Sequence, residues 1–284
     1  MLCSSTRGRL NTLPHEHFFG FFLVVTWLRL VLNVGLLNPH SVSFMCYLAG
    51  AAALVHRCSK SPTDLNWRIR LIYYAVLMNI IYWQMRAAVP LIHPVKEDLL
   101  LQQLDNLLIG GSLSLRLERW VSPLLTEIMS LCYILFMPYL MFSLISYATE
   151  DIKLCRRFYA GLFSLYGIGF LGYTLLPALG PYLATPDKFS TALSGFRITG
   201  LNASMVLNGS NRVDVFPSLH CAVSAYMLLF DRRHKRWRFK LYLLPCLGLW
   251  ISTLYLRYHY FVDVVFGFAL AAFALHITER CQPE

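Results

Sequence analysis

Long apolar windows occupy most of this chain, and they restrict its fold more than any motif does. A helix needs about 17 to 25 mostly apolar residues to cross a bilayer. Hydrophobic residues make up 57% of the chain and charged residues 14%, which excludes an ordinary soluble globular domain. We therefore predict a polytopic membrane protein with eight spans. The predicted spans are Phe18 to Leu37, Ser41 to Val55, Leu71 to Val89, Leu124 to Tyr147, Phe158 to Leu179, Ser218 to Phe230, Leu241 to Tyr258 and Tyr260 to Ile277.

Basic residues mark alternate ends of these spans and so predict their orientation. Cytoplasmic loops of membrane proteins carry an excess of lysine and arginine. Four basic clusters therefore predict cytoplasmic segments: Arg7 and Arg9; Arg57, Lys60, Arg68 and Arg70; Lys153, Arg156 and Arg157; and Arg232, Arg233, Lys235, Arg236, Arg238 and Lys240. His220 and His259 then fall on the opposite, extracytoplasmic or lumenal face. The host membrane is either a bacterial inner membrane or a eukaryotic endomembrane or plasma membrane.

Two histidines and one aspartate lie at the ends of predicted spans, where a polar side chain needs water or a buried partner. His259 and Asp263 are four residues apart, so they would share one face of a helix. The Asp263 carboxylate could then accept a hydrogen bond from one imidazole nitrogen and leave the other unprotonated, which makes His259 a candidate nucleophile. His220, on another span, suits a general acid. The three residues together predict phosphoryl transfer at a membrane surface.

Residues next to these histidines are candidates for phosphate binding. Pro217 suits the first position of a helix, and the free backbone N–H groups after it would point at an anion. Ser218 would add a hydroxyl donor, with a helix N-cap as its alternative role. Arg257 could hold the same anion, and its alternative is an interfacial arginine that reaches toward lipid headgroups.

The two motifs resemble those of the type 2 phosphatidic acid phosphatase (PAP2) superfamily, and more closely those of its inositol phosphorylceramide synthase-like branch. Pro217, Ser218 and His220 match the central Pro-Ser-x-His motif. His259 and Asp263 match the final His-x-x-x-Asp motif. The resemblance implies that His259 is the nucleophile and His220 the general acid.

The chain departs from the phosphatase branch of that superfamily at two places. That branch begins its last motif with Ser-Arg, whereas this chain has Ser252 and Thr253. Arg257 is four residues after Thr253 and would lie on the same helix face, so we expect it to supply the missing guanidinium. The branch's first motif, a lysine followed at a distance by Arg-Pro, is replaced by the proline-rich segment Leu176 to Tyr182, which looks like that of the synthase-like branch. Water and an alcohol therefore both stay open as the acceptor.

The resemblance implies an all-α membrane bundle with a six-helix core, preceded here by about two additional spans. We divide the chain into N-terminal spans over residues 1–95 and a catalytic membrane domain over residues 96–284. The implied activity is that of a lipid phosphatase or phosphotransferase with no metal and no cofactor. Expected partners are a lipid phosphate or phospholipid, the membrane lipids and an alcohol acceptor, and no nucleic acid. The alternative is a non-catalytic, polytopic lipid-binding or transport protein that retains the motifs.

Three further segments carry structural predictions. Leu99 to Trp120 mixes leucines with polar residues, which indicates an interfacial amphipathic helix or a re-entrant element. Gly180 to Val215 is a long polar loop, typical of a lid or a substrate-binding loop. The glycines between Gly167 and Gly172 predict close packing of the fifth span against a neighbouring helix.

Overall fold

Every regular element in the described part of the chain is helical. The computed structural model describes residues 12–280, so Arg7 and Arg9 lie outside the described residues. In chain order the helices are α1 (Pro14–Val34), α2 (Pro39–Lys60), α3 (Asp64–Ile92), α4 (Asp98–Ile109), α5 (Leu113–Leu117), α6 (Pro123–Ile134), α7 (Phe136–Ala148), α8 (Ile152–Leu175), α9 (Pro181–Ala184), α10 (Arg197–Gly209), α11 (Leu219–His234), α12 (Arg236–Tyr255) and α13 (Phe261–Arg280). Short 3-10 turns lie at Glu118–Trp120 and Pro186–Lys188. The predicted all-α fold is confirmed.

Six helices between residues 12 and 280 are long and apolar enough to cross a membrane: α1, α2, α3, the α6–α7 pair, α8 and α13. They coincide with six of the eight predicted spans and confirm a multi-pass membrane protein. The other two predicted spans coincide with α11 and α12, which are helical but do not meet the same criteria. Most residues of α11 are buried, and it packs against α8, α12 and α13. A helix enclosed by other helices can carry polar residues that lipid would exclude.

Helix α8 connects the N-terminal helices to the rest of the bundle. It packs against α1 and α3 as well as against α11 and α13. Its glycines allow close approach: a Cβ on Gly167 would lie 2.6 Å from the backbone nitrogen of Phe19 in α1. A Cβ on Gly172 would lie 2.5 Å from Cδ of Pro217, just before α11. The predicted close packing is therefore confirmed, and it brings the central motif against α8. The division of the chain at residue 95 stays a prediction.

The segment between α3 and α6 forms short helices instead of one continuous element. Helix α4 packs against α13 and α5 packs against α12. Asp98 begins α4 and Asp105 lies in its third turn, and both carboxylates are buried. Charged groups are rarely buried without partners, so these two aspartates indicate that α4 has a specific contact with the helices that it covers.

The long polar loop contains two helices, α9 and α10, and a glutamate of α6 anchors it. Glu127 accepts hydrogen bonds from the backbone N–H groups of Phe196, Ile198 and Thr199, at 2.7, 2.8 and 3.0 Å. It also accepts a hydrogen bond from the Thr199 hydroxyl at 2.7 Å. This cluster, the Glu127 anchor, fixes the start of α10 against α6.

Near its C-terminal end, α11 carries a buried acidic residue, Asp231. Asp231 accepts hydrogen bonds from the hydroxyl groups of Tyr139 at 2.8 Å and Tyr147 at 2.5 Å. Its Oδ2 atom lies 3.1 Å from Nε of Arg238, which is itself fully buried. Both carboxylate oxygens are therefore engaged, as expected for a charge inside a bundle.

Candidate active site

His259 lies in the connection between α12 and α13, where its ring is held by a backbone carbonyl. Nδ1 of His259 lies 3.0 Å from the carbonyl oxygen of Val215 and 3.5 Å from Oδ2 of Asp263. A carbonyl oxygen can only accept a hydrogen bond, so Nδ1 carries the proton and Nε2 presents its lone pair. His259 is 2% exposed, and burial lowers the pKa of His259 to about 4. The imidazole is therefore neutral at physiological pH.

Asp263 connects the two sequence motifs. Its Oδ2 atom accepts a hydrogen bond from the backbone N–H of Tyr260 at 2.8 Å, and its backbone oxygen accepts one from the N–H of Ser218 at 3.0 Å. A Cβ on Gly267 would lie 2.6 Å from the carbonyl oxygen of Ser218, so glycine is required for this contact between α13 and the start of α11. The predicted proximity of His259 and Asp263 is confirmed at 3.5 Å, but the predicted hydrogen bond goes to the Val215 carbonyl instead of to the Asp263 carboxylate. However, α13 begins at Phe261, so the two residues do not share a helix face.

His220 occupies the first turn of α11 and faces His259. The centroids of the two imidazole rings are 5.7 Å apart. The rings of Tyr133 and Phe136 also contact His220, and the centroid of each ring lies 4.8 Å from the centroid of the imidazole. Nδ1 of His220 is buried and has no hydrogen-bond partner among the described residues. The structure thus brings together the two histidines that the sequence places on different spans.

Ser218 is the N-cap of α11, which is the alternative role considered from the sequence. Its Oγ accepts a hydrogen bond from the backbone N–H of Cys221 at 3.4 Å, and the residue is fully buried. The helix begins at Leu219, so Pro217 precedes the cap and the expectation that Pro217 is the first helical residue is wrong. The reason is that a serine side chain satisfies an N–H group of the first turn better than proline at that position does. The role of Ser218 in phosphate binding stays a prediction.

Arg257 is directed toward the long loop. Helix α12 ends at Tyr255, and Arg257 has a positive φ of 67°. The expectation that Arg257 continues the helix face of Thr253 is therefore wrong. Its Nη2 atom donates to the carbonyl oxygen of Thr191 at 2.6 Å, and its guanidinium carbon lies 3.9 Å from the centroid of the Phe189 ring. Nη2 also lies 3.7 Å from a carboxylate oxygen of Glu118. Phosphate binding by Arg257 stays a prediction.

Two aspartates of α4 hold the turn that carries His259. Asp105 accepts hydrogen bonds from the backbone N–H groups of Phe261 and Val262, both at 2.9 Å, and so caps the start of α13. Burial raises the pKa of Asp105, and these two hydrogen bonds oppose the increase. Asp98 accepts from the hydroxyl of Tyr260 at 2.9 Å. The sequence signal for Asp105 was weak, a Leu-Asp-Asn stretch similar to one in the synthase-like branch, and Asp98 had no signal of its own.

Asp214 is a further acidic residue that the motifs did not indicate. It lies three residues before Pro217, and its carboxylate accepts hydrogen bonds from the hydroxyl groups of Tyr82 at 2.5 Å and Ser210 at 2.8 Å. Asp214 and His220 both line a cavity of about 320 Å³ between α3, the α6–α7 pair, α8 and α10. The cavity therefore reaches one of the two motif histidines directly.

No group of three His, Cys, Asp or Glu residues within residues 12–280 is arranged to hold a metal ion. The acidic residues near the histidines are instead occupied by backbone and hydroxyl donors. Nucleophilic attack by His259 and proton transfer by His220 stay predictions.

A comparison with known protein families covers the part of the chain that holds both histidines and Asp263. The sequence profile of the PAP2 superfamily matches residues 101–277, which is more than half of the chain and includes both motifs. Comparison with curated proteins and with solved structures gave no match.

Proposed function

Because this chain belongs to the PAP2 superfamily, we propose that it is an integral-membrane enzyme that cleaves a lipid phosphoester or diphosphate through a phosphohistidine at His259. The observation that carries this proposal is the tautomer of His259. The Val215 carbonyl holds the proton on Nδ1, so Nε2 is free to attack phosphorus. The imidazole of His220 lies close enough to that of His259 to protonate the leaving oxygen.

The proposed reaction has two steps. In the first, Nε2 of His259 attacks phosphorus, the bond from phosphorus to the leaving oxygen breaks, and protonated His220 gives its proton to that oxygen. In the second, His220 takes a proton from water or an alcohol as that oxygen attacks phosphorus, and the bond between phosphorus and Nε2 breaks. Asp263 stabilises the positive charge that His259 carries in the intermediate, since its carboxylate lies 3.5 Å from Nδ1.

The distribution of basic residues favours one side of the membrane for the reaction. His220 lies at the start of α11 and His259 lies between α12 and α13, whereas the basic run from Arg232 to Lys240 lies at the other ends of α11 and α12. A basic run of this kind favours the cytoplasmic side. We therefore propose that the histidines face the extracytoplasmic or lumenal side, and that the substrate enters from that leaflet.

The test is a phosphoenzyme experiment with a matched histidine control. The purified protein is incubated with a panel of phosphorus-labelled lipid phosphates and phospholipids, and the reaction is quenched rapidly. We expect acid-labile, base-stable label on the wild type and none on His259→Ala, because no other group can attack from that position. His276→Ala is the control, since His276 is exposed on α13 away from the motifs. Label on the His259→Ala protein would show that the nucleophile is a different residue.

The same experiment separates the enzyme from a non-catalytic lipid-binding protein. A binding protein would retain the labelled lipid in both variants and would release no product from either. Turnover that depends on His259, measured as release of the lipid alcohol, supports the enzyme. Adding an alcohol such as diacylglycerol or ceramide to the assay then tests the phosphotransferase form against the hydrolase form.

A further inference from the structure

The cavity beside His220 has an apolar body. Its lining includes Met78 of α3, Phe136 and Leu140 of the α7 segment, and Phe170 of α8. A volume of about 320 Å³ lies at the lower end of the range for small-molecule sites, about 300 to 1,000 Å³. A lining of this kind can accept a hydrocarbon chain without placing a polar group against it. The cavity is therefore suited to one end of a lipid chain.

The polar end of the cavity offers hydrogen-bond acceptors. The Asp214 carboxylate lies there and accepts from two hydroxyl groups. Asn202, which is 2% exposed, also lines the cavity, and its Oδ1 atom has no hydrogen-bond partner among the described residues. Its amide nitrogen is already used, since Nδ2 donates to the hydroxyl of Tyr258 at 3.0 Å. A carboxylate and an unpartnered amide oxygen together attract a donor and repel an anion.

We propose that this cavity binds the lipid alcohol of the reaction, an uncharged lipid whose hydroxyl group lies against Asp214, Asn202 and His220. This inference rests on the proposed function and deepens it, because it names the chemical class that the cavity accepts. The alcohol is the leaving group of the first step and, in the transferase form, the acceptor of the second. A lipid phosphate placed headgroup-first in the cavity would bring its negative charge against the Asp214 carboxylate, which costs free energy at low dielectric.

The atoms of the second step balance with the alcohol in this position. The hydroxyl oxygen attacks phosphorus on His259, its proton passes to His220, and the bond between phosphorus and Nε2 of His259 breaks. His220 lines the cavity and its ring centroid is 5.7 Å from that of His259, so it lies between the alcohol and the phosphorus-bearing residue. Asp214 does not take the proton in this scheme. It orients the hydroxyl group and excludes anions.

Helix α3, which the sequence placed outside the catalytic domain, builds part of this pocket. The hydroxyl of Tyr82 in α3 donates to Asp214, and the backbone oxygen of Tyr82 accepts a hydrogen bond from Nδ2 of Asn211 at 3.1 Å. Tyr82 thereby holds the chain on both sides of Arg212 in place. The N-terminal spans would thus contribute to lipid selection and not only to anchoring.

The first test measures binding without turnover, on the His259→Ala protein. A photoreactive diazirine derivative of a long-chain 1-alkanol is crosslinked to the purified protein in detergent, and the labelled peptides are identified. We expect label in α3 and α10, and we expect an unlabelled alkanol to compete at least ten-fold better than its methyl ether of the same chain length, which has no hydroxyl proton to donate. Equal competition by the methyl ether, or label confined to helices that do not line the cavity, would overturn the proposal. Because this protein lacks the nucleophile, the result is independent of the phosphohistidine proposal.

The second test changes the charge of the pocket. Asp214→Asn keeps the size of the side chain and removes its charge, so the hydrogen bond that it accepts from the hydroxyl group weakens and the preference for alkanol over its methyl ether should fall at least five-fold. Asp187→Asn is the matched control, because Asp187 is exposed in the 3-10 turn after α9, and it should keep the wild-type preference. An unchanged preference in Asp214→Asn would show that the carboxylate does not select the ligand.

The third test fills the apolar body. Leu140→Trp should weaken crosslinking of a long-chain alkanol more than that of a short-chain alkanol, since the larger ring occupies the space of the chain. Met78→Trp fills the same cavity from α3 and serves if the first variant does not fold. Equal weakening for all chain lengths in a folded variant would place the lipid chain elsewhere.

Discussion

The two ends of α11 each carry buried polar groups, but their partners differ. At the C-terminal end, Asp231 has two tyrosine hydroxyl donors and a buried arginine. At the start, Nδ1 of His220 has no hydrogen-bond partner among the described residues, and the same holds for Oδ1 of Asp263 in the adjoining helix. Both carboxylate oxygens of Asp231 are therefore engaged, although Nε and Nη1 of Arg238 have no hydrogen-bond partner among the described residues, whereas Nδ1 of His220 and Oδ1 of Asp263 have neither a hydrogen bond nor an ion pair.

This difference favours a structural role at one end of α11 and a functional role at the other. A buried polar atom without a partner costs about 1 to 3 kcal/mol, so a ligand that pairs with it gains free energy. The Asp231 carboxylate already has its donors and its counter-charge, and we interpret it as a structural element. We expect substrate to pair with the unpartnered atoms of His220 and Asp263.

The largest expected effect is at Asp263. Asp263→Asn keeps the shape of the side chain but removes the charge beside Nδ1 of His259, so the imidazolium of the intermediate loses its stabilisation. The rate should fall by about 10⁴-fold, the size seen when the aspartate of a catalytic triad is replaced by asparagine. The measurement is single-turnover formation of the phosphoenzyme. A loss below ten-fold would mean that the Val215 carbonyl alone positions the ring.

His220→Ala should give a smaller and substrate-dependent effect. Removing the general acid should cost about 10²- to 10⁴-fold for a lipid alkoxide leaving group. The loss should be much smaller for a p-nitrophenyl ester, because that leaving group needs no proton. Rates for both substrates, each normalised to the wild type, give the comparison. An equal loss for the two would assign His220 to phosphate binding instead of proton transfer.

Replacing Asp231 should lower the stability of the protein and leave its rate unchanged, which is the opposite of what is expected at Asp263 and His220. Asp231→Asn leaves Arg238 buried without its counter-charge, which should lower the free energy of unfolding by roughly 3 to 5 kcal/mol. The turnover number of the folded fraction should stay at the wild-type value. Glu279→Gln is the control, since its ion pair with Arg233 is about half exposed and should contribute less than about 1 kcal/mol. A reduced turnover number in folded Asp231→Asn would break the distinction between the two ends of α11.

The smallest effect is expected at Arg257. Arg257→Lys keeps the positive charge but loses the planar group that lies over Phe189 and donates to Thr191. If the arginine also holds phosphate, KM should rise by about ten-fold while the thermal midpoint changes little. Paired measurements of KM and of the melting temperature decide the case. A lower melting temperature with unchanged KM would make Arg257 an anchor of the loop.

The contact between His259 and Asp263 could be predicted from their spacing, although the reasoning from a shared helix face did not hold. The contact forms because the chain turns at Tyr260 before α13 begins. Two residues that are four positions apart can meet across a turn as well as along a helix. The same assumption failed for Arg257, where α12 had already ended. Local periodicity predicts which segments are helical more reliably than it predicts where each helix stops.

Other parts of the site had no readable pattern. The carbonyl of Val215 fixes the tautomer of His259 from 44 residues away, and a backbone oxygen has no sequence signature. Asp98 resembles an ordinary charge in a polar segment, because its partners include backbone N–H groups distant in the chain. Glu127 could have been noticed as a charge inside the predicted span Leu124 to Tyr147, but its backbone partners have no sequence signature. Asp214 could have been noticed, since it is a charged residue immediately before the apolar start of the central motif.

The Glu127 anchor has an evolutionary consequence. Three of its four donors are backbone N–H groups, which every amino acid except proline supplies. The side chains at Phe196 and Ile198 are therefore free to change without moving the start of α10. Because α10 lines the cavity through residues such as Asn202 and Met205, substitutions at Phe196 and Ile198 should leave that wall in place as long as Glu127 is kept.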